Sequence, residues 1–236
     1  MIEILWQTER LVAIDKPAHL ATAPGRGEIG NALEDVARQI GVPKLLLVHR
    51  LDKQTSGILL LAKDTEAQRF VCRQFSKREV EKEYLALVAG VPREDAGQID
   101  APLAAHPSGR NVFAVSKHGR AAVTRWEVVQ RFRGMALLRC FPLTGRTHQI
   151  RVHLQSIGLP LAVDPIYNRA VTGILLSGFK RSYKSSGEEK PLIDRLTLHA
   201  ARLAFGDLNG ERITLECPPP RDFRATINQL SKWARI

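Results

Sequence analysis

The chain has 236 residues, of which 44% are hydrophobic, and it carries a formal net charge of +11 with a pI near 10.0. This length can bury a core as one domain with one or two lobes, and no apolar run approaches the ~20 residues that span a bilayer, which argues against a membrane protein. A surface this basic favours a polyanion, RNA or DNA first, and a basic protein without such a partner is the alternative.

The cysteines give no sign of a disulfide framework or a zinc site. Cys72, Cys140 and Cys217 lie far apart and form no CxxC pair. The first residues carry charges within a short apolar stretch, unlike a signal peptide. We therefore expect a protein of the reducing cytoplasm.

The first predicted elements are a strand over residues 11–14 and a helix that ends at residue 40. Pro17 forbids regular continuation of that strand in a central ladder. Asn31 is the predicted N-cap of the helix, and Gly41 is its predicted stop.

The segment between residues 48 and 58 is the candidate active site. Apolar runs at 45–48 and 58–61 each predict a buried strand, and the segment between them is polar. It contains His49, Arg50, Asp52, Lys53, Thr55 and Ser56. A carboxylate between an arginine and a lysine, next to an apolar strand, is held ionised by the cations and aimed by a rigid scaffold. A charged hairpin connection with a local ion pair is the alternative.

A helix capped by Asp64 or Thr65 is predicted next, followed by a strand over 82–90. Alternation in this strand places Tyr84, Ala86 and Val88 on one face. From the pattern alone, Tyr84 is more simply a core tyrosine. Turn-rich residues 91–119 predict short strands and exposed loops, and strands are expected over 121–132 and 135–141.

A second informative stretch covers residues 143–158. Thr147 is the predicted cap of a helix that Gly158 ends, with Ile150, Leu154 and Ile157 toward the core. Arg151 projects from the flank of this apolar stripe and needs an anionic partner, for which we propose Asp52.

The remaining chain predicts a basic loop, further strands and a final helix. Residues 169–195 are polar and contain Lys180 and Arg181, so we expect a mobile loop insertion that grips RNA. Strands are expected over 197–205 and 213–215, and Asp222 is the predicted cap of a helix ending at residue 233. His148 and His153 are five apart, rather than the four of a helical metal pair, so we expect no metal.

Several stretches resemble the RluA-type pseudouridine synthases, which isomerise uridine in structured RNA. HRLDKQTSG at 49–57 resembles the signature HRLDxxTSG, and GRTHQIRVHL at 145–154 is similar to GRxHQxRVH. The stretches KPAHLATAPGRG at 16–27, GLPLAVDPIY at 158–167 and LHAARLAF at 198–205 resemble further family motifs. In the first two of these, His19 and Val163 stand where glycine is usual.

The resemblance implies a role for each matching residue. Asp52 corresponds to the catalytic aspartate, Tyr84 to the tyrosine that packs on the uracil ring and shares in proton transfer, and Arg151 to the arginine salt-bridged to the aspartate. Arg50 corresponds to the arginine that helps displace the target base. We expect further RNA contacts from Arg146, His148, Lys180 and Arg181.

The expected fold is α+β, with a mixed, mainly antiparallel sheet flanked by helices. The resemblance implies the pseudouridine synthase fold, a bent sheet with a central cleft, in one catalytic domain over 1–236 without a separate N-terminal RNA-binding module. The expected function is an RNA pseudouridine synthase for rRNA or tRNA that acts as a monomer, without a cofactor or an obligatory protein partner. A non-catalytic RNA-binding or ribosome-assembly protein is the alternative.

Overall fold

The computed structural model describes residues 1–25, 30–107, 111–184 and 187–236. The chain divides into two compact units. The first unit is Met1–Glu83 with His199–Pro218, and the second is Tyr84–Leu198 with Pro219–Ile236. Residues 26 and 27 of the first motif, and residues 185 and 186 of the expected basic loop, lie outside the described ranges.

The described chain alternates strands with a few helices. The strands are β1 (Glu3–Gln7), β2 (Leu11–Lys16), β3 (Leu46–Leu47), β4 (Ser56–Ala62), β5 (Glu81–Ala89), β6 (Ala96–Asp100), β7 (Leu103–Ala105), β8 (Phe113–Val115), β9 (Val123–Phe132), β10 (Met135–Pro142), β11 (Leu198–Gly206) and β12 (Arg212–Glu216). The helices are α1 (Ala32–Gln39), α2 (Thr65–Lys77), α3 (Gln149–Ser156) and α4 (Arg221–Trp233), and a 3-10 turn covers Leu176–Gly178.

The sheet of the first unit has the strand order β1-β2-β4-β11, with β3 paired to β4 and β12 to β11. Its pairs are antiparallel except β4 with β11. Every residue of β4 is buried, as expected for a strand with an uninterrupted apolar run. Strand β4 confirms the buried strand predicted over 58–61, whereas only the two half-buried residues of β3 form a strand within the predicted 45–48, and β1 was not predicted.

Both helices of the first unit begin at predicted caps. The Asn31 side chain accepts a hydrogen bond from the Glu34 N–H at 3.0 Å, and Asp64 Oδ1 accepts one from the Ala67 N–H at 2.9 Å. Each cap satisfies a backbone donor that the first helical turn leaves without an intrahelical partner.

The sheet of the second unit is antiparallel, in the order β5-β10-β9-β6. Two apolar cores use opposite faces of β5, as the alternation predicted. Tyr84, Ala86 and Val88 pack into one core, and Leu85 and Leu87 into the other. Strands β9 and β10 meet at the turn over residues 133–134, also as predicted.

Two helix starts in the second unit differ from the prediction. Helix α3 begins at Gln149, after His148 in a left-handed conformation, so Thr147 is not its cap. Ile157 is 42% exposed rather than in the core. Asp222 lies inside the first turn of α4, where its carboxylate pairs with the Arg195 guanidinium at 2.6 Å.

The segment 169–195 has an apolar base as well as polar residues. Ile174, Phe179 and Ile193 are buried in one core of the second unit, and Ile174 bridges Ile193 through the backbone. Among the described residues, every helix is too short or too polar to cross a bilayer. The predicted α+β class with a mainly antiparallel sheet is confirmed.

Candidate active site

Asp52 lies in a short turn between β3 and β4, in the first unit. Its carbonyl oxygen accepts a hydrogen bond from the Thr55 N–H at 3.0 Å, and the residue is half-buried. The preceding residue, Leu51, is held at both backbone groups by Thr22. The Thr22 hydroxyl donates to the Leu51 carbonyl at 2.7 Å and accepts from the Leu51 N–H at 3.2 Å. The backbone that carries Asp52 is therefore fixed on both sides.

Lys16, at the end of β2, is a second anchor for this turn. Its side chain is fully buried, and its ammonium donates to the carbonyls of Pro17 at 2.8 Å, Leu20 at 2.9 Å and Lys53 at 3.2 Å. A buried ammonium requires such acceptors because desolvation is costly. Lys16 thus ties the loop after β2 to the residue that follows Asp52.

His49 has a structural role in the same segment. Its Nε2 accepts a hydrogen bond from the Leu60 N–H at 3.0 Å, and its ring stacks on Phe75 with centroids 4.9 Å apart. Burial, with a smaller effect from the charge of Lys82, lowers the pKa of His49 to about 3. His49 is therefore neutral at pH 7, with its proton on Nδ1.

The residues after the turn join β4 to β11. His199 Nε2 donates to the Cys217 carbonyl at 2.9 Å, so its Nδ1 accepts from the Ser56 hydroxyl at 3.0 Å. Gly57, with φ +109°, lies so close to β11 that an added Cβ would be 2.2 Å from the Ala200 carbonyl oxygen. The serine and glycine of the motif thus serve close strand packing.

Arg50 stands apart from these anchored residues. It is exposed, and among the described residues no hydrogen bond or ion pair engages its guanidinium. Its charge is available to an external anion or base.

Arg151, on α3 in the second unit, is buried and bound by Asp164. Its Nε donates to Asp164 Oδ2 and its Nη2 to Oδ1, both at 2.8 Å, and its guanidinium lies 5.0 Å from the ring centroid of Tyr167. Asp164 is fully buried, and its Oδ1 also accepts from the N–H groups of Ile166 and Tyr167. The predicted need for an anionic partner is met by Asp164, and the pairing of Arg151 with Asp52 stays a prediction.

His148 belongs to the same cluster. Its left-handed backbone, with φ 55°, turns its buried ring toward Tyr167, and Nδ1 lies 3.0 Å from the Tyr167 hydroxyl. That hydroxyl also accepts from the Phe113 N–H at 2.9 Å. The side chain predicted to contact RNA thus supports Tyr167, which lies beside Arg151.

His153 and Gln149 connect α3 to the sheet. His153 Nδ1 lies 2.9 Å from the Thr124 hydroxyl and its Nε2 donates to the Ala101 carbonyl, while Gln149 donates to the Val123 carbonyl. Both imidazole nitrogens of His153 are therefore engaged. Within the described ranges, no group of three or more His, Cys, Asp or Glu side chains is arranged to hold a metal ion.

The other predicted site residues of the second unit are partly or fully exposed. Tyr84 is half-buried, paired with Cys140 across β5 and β10, and packs on the core beneath that sheet face. Arg146 Nε donates to the Ala121 carbonyl at 3.1 Å. Lys180 lies over the Trp233 ring, and Arg181 is exposed. The roles of these four residues in catalysis or RNA binding stay predictions.

Sequence reasoning missed three positioning residues, Lys16, Thr22 and Asp164. Lys16 and Asp164 stand in stretches that resemble family motifs, but no role was assigned to them. Thr22 also stands in the stretch at 16–27, but no role was assigned to it, because its contact with Leu51 joins distant parts of the chain.

Comparisons with known proteins agree with these motifs. Residues 10–156 match the family model described as RNA pseudouridylate synthase. The chain is 40% identical to ribosomal large subunit pseudouridine synthase D of Nitrosomonas europaea over 97% of this chain and 65% of that protein. It is 35% identical to ribosomal large subunit pseudouridine synthase C of Escherichia coli over 96% of this chain and 69% of that protein. The chain thus spans about two thirds of the length of these curated relatives.

A solved structure, human RNA pseudouridylate synthase domain containing 4, aligns with a TM-score of 0.75 and 31% identity. The alignment covers 97% of this chain and 93% of that one. The human domain containing 1 aligns with a TM-score of 0.73 at 23% identity, which is a likeness of fold.

Proposed function

Since the chain belongs to the RNA pseudouridylate synthase family, we propose that it isomerises uridine to pseudouridine in structured RNA, with Asp52 as the catalytic carboxylate. The family and the fold predicted from the motifs are confirmed. The observation that carries the assignment of Asp52 is the fixed turn: Thr22 and Lys16 hold the residues on either side of the aspartate, which is half-buried. A rigid backbone of this kind positions a reacting group.

The reaction breaks the N1–C1′ bond of uridine, turns the uracil and joins its C5 to C1′, with no redox change. Asp52 either attacks C1′ as a nucleophile or removes a sugar proton to form a glycal. After the new C5–C1′ bond forms, C5 gives up its proton, and we assign Tyr84 to stacking on the ring and to sharing in this transfer. Because no electrons or phosphoryl groups are exchanged, we propose that the reaction proceeds without a cofactor.

Reaching C1′ of a structured uridine requires taking the base out of its stack, at a cost of a few kcal/mol. Arg50 is exposed and lies two residues before Asp52 in the sequence. We propose that its side chain occupies the space that the displaced base leaves in the stack. We assign Arg151 to holding Asp52 ionised, and Arg146, His148, Lys180 and Arg181 to the RNA side of the site.

Large-subunit ribosomal RNA is the substrate that we favour. The support is the naming of the curated relatives as ribosomal large subunit pseudouridine synthases, together with the +11 net charge of this chain. We further propose that the protein acts in the cytoplasm as a monomer.

Tritium release from RNA labelled at uracil C5 tests this function, because C5 loses its hydrogen only when it becomes the glycosidic carbon. RNA from cells lacking the protein is incubated with wild type, with Asp52→Asn or with Asp35→Asn, which alters a carboxylate on α1. We expect release by wild type and Asp35→Asn, and a loss of at least about 100-fold in Asp52→Asn with RNA affinity within a few-fold.

Two results would contradict the proposal. Equal release by Asp52→Asn would remove Asp52 from the chemistry. RNA binding without release by any of the three proteins would favour a non-catalytic RNA-binding protein.

A further inference from the structure

Positive side chains collect around Trp233, at the end of α4 in the second unit. Lys180 Nζ lies 4.6 Å from the centroid of the Trp233 ring, and Lys232 Nζ lies 5.0 Å from it. Arg133 Nη2 donates to the Trp233 carbonyl at 2.6 Å. We call Arg133, Lys180, Lys232 and Trp233 the Trp233 surface.

The three cations come from separate parts of the chain. Arg133 lies in the β9–β10 turn, Lys180 follows the 3-10 turn and Lys232 belongs to α4. Arg133 and Lys232 are exposed, and Lys180 and Trp233 are half-buried. Folding therefore brings together charges that the sequence keeps apart.

Internal carboxylates do not neutralise this surface. In the part of the chain that the structure describes, none of the three cations forms an ion pair. Two carboxylates of the same unit have other partners: Glu189 accepts from the Ser177 N–H at 2.9 Å, and Asp222 is bound by Arg195.

The helix end explains part of the arrangement. The last turn of a helix carries roughly half a negative charge, which favours one nearby cation, and the Arg133 hydrogen bond satisfies a terminal carbonyl. Two ammonium groups over the indole and one guanidinium at the backbone carbonyl of the same residue exceed that compensation and repel one another. The ring quadrupole attracts the two ammonium groups and holds them at its surface.

We infer that the Trp233 surface binds phosphate groups of the substrate RNA, an inference that rests on the proposed function. A polyanion supplies the compensating charge, and contact with phosphates releases condensed counterions. The net charge of +11 favours a nucleic acid over a single acidic side chain as the partner. The indole holds Lys180 and Lys232 as neighbours, so that they can meet adjacent phosphates.

The test compares Lys180→Gln/Lys232→Gln with Arg69→Gln/Arg73→Gln, which removes the same charge from exposed positions on α2. RNA affinity is measured against salt concentration for both and for wild type. Each lost phosphate contact lowers the magnitude of the slope of log affinity against log salt concentration by about 0.7–0.9. We therefore expect the slope of the first variant to fall by about 1.4–1.8 in magnitude. The same variant should bind RNA at least about 10-fold more weakly at 0.1 M salt. The α2 variant should keep the wild-type slope.

The outcomes separate this inference from the proposed function. An unchanged salt dependence of RNA affinity in Lys180→Gln/Lys232→Gln overturns the inference that the Trp233 surface binds RNA phosphates. Tritium release by wild type would still support the isomerase in that case. A reduced slope without tritium release by wild type supports the surface and rejects the isomerase.

Lysine acetylation of the unaltered protein gives a readout that does not depend on a variant folding. Bound RNA should protect Lys180 and Lys232 but not Lys77, at the end of α2. Equal protection by polyglutamate at matched charge would point to an acidic protein partner and overturn the assignment to RNA.

Discussion

Asp164 is the residue on which the position of Arg151 depends. Its two carboxylate oxygens accept two guanidinium hydrogen bonds from Arg151 and two backbone hydrogen bonds from residues 166 and 167. Because the pair is buried, it has little freedom to shift, and a bidentate pair fixes the plane of the guanidinium as well as its place. If Arg151 holds Asp52 ionised, Asp164 determines where that charge lies.

Asp164→Asn therefore tests a positioning role. The amide presents two donors to Arg151 in place of one acceptor oxygen, which breaks the bidentate pair. We expect kcat to fall about 10- to 100-fold with KM for RNA within a few-fold. Tritium release at saturating RNA, with the folded fraction measured by circular dichroism, checks this result.

Tyr167→Phe is the matched control for that experiment, because it removes the hydroxyl near His148 but keeps the ring beside Arg151. It should lose much less activity than Asp164→Asn. A fall in Asp164→Asn that only follows its loss of folded protein would give Asp164 a structural role alone.

At the residue scale, sequence reasoning found the reacting group more readily than its supports. Asp52 stood out because its cationic neighbours are adjacent in the chain. Lys16 did not, because the Lys53 carbonyl that it binds is distant in the sequence and has no side-chain signature. The role of His148 was inferred from its motif alone. Its contact with Tyr167 depends on a left-handed backbone conformation, which the residue type does not predict.

At the scale of helices and strands, two of the predicted helix caps are correct, and Asp64 keeps this role although the distant Arg10 binds both of its carboxylate oxygens. The caps Asn31 and Asp64 each bind a donor three residues ahead. Asp222 is not the cap because α4 begins earlier, at Arg221 after Pro220, which places the Asp222 carboxylate inside the first turn beside Arg195. Thr147 fails because Gln149 reaches back to accept from the Arg146 N–H and the helix begins later.

The contact of β4 with β11 sets the next prediction, Gly57→Ala. Gly57 has φ +109°, and a Cβ would meet the Ala200 carbonyl oxygen at 2.2 Å. Backbone strain and overpacking each cost about 1–3 kcal/mol, so we expect a loss of about 2–6 kcal/mol in the free energy of unfolding. The urea midpoint of unfolding measures this loss.

Gly210→Ala separates strain from the clash. Gly210 also lies in the first unit and has φ +87°, but an added Cβ would meet no atom within 4 Å beyond its chain neighbours. We expect a loss of only about 1–2 kcal/mol, the cost of a left-handed residue. Equal losses in both glycine variants would show that close packing on β11 contributes nothing.

At the scale of the whole molecule, two histidines with lowered pKa values make the stability depend on pH. Burial lowers the pKa of His49 in the first unit and of His153 in the second. The Leu60 N–H donates to His49 Nε2, a hydrogen bond that the ring can accept only in its neutral form. Neither residue was predicted to affect stability, because the sequence does not show which histidines folding buries.

The sign of this dependence follows from proton linkage. His49 has a folded pKa of about 3 against its ordinary value of 6.5, so between these pH values the unfolded chain binds a proton that the folded chain excludes. The contribution of neutral His49 to the free energy of unfolding is therefore fully present above pH 6.5 and is lost as the pH is lowered toward 3. The loss from this residue is at most about 1.4 kcal/mol per pH unit, which amounts to about 2 kcal/mol at pH 5. His153 acts in the same direction.

His49→Gln tests the dependence, because the amide oxygen can still accept from the Leu60 N–H while the side chain no longer titrates. The variant should be less stable than wild type at pH 7, since it loses the stacking on Phe75. Its free energy of unfolding should nevertheless change less between pH 7 and pH 5, as urea denaturation at each pH would measure. If both proteins have the same pH slope, the acid sensitivity arises elsewhere, and His49 is not held neutral by its burial.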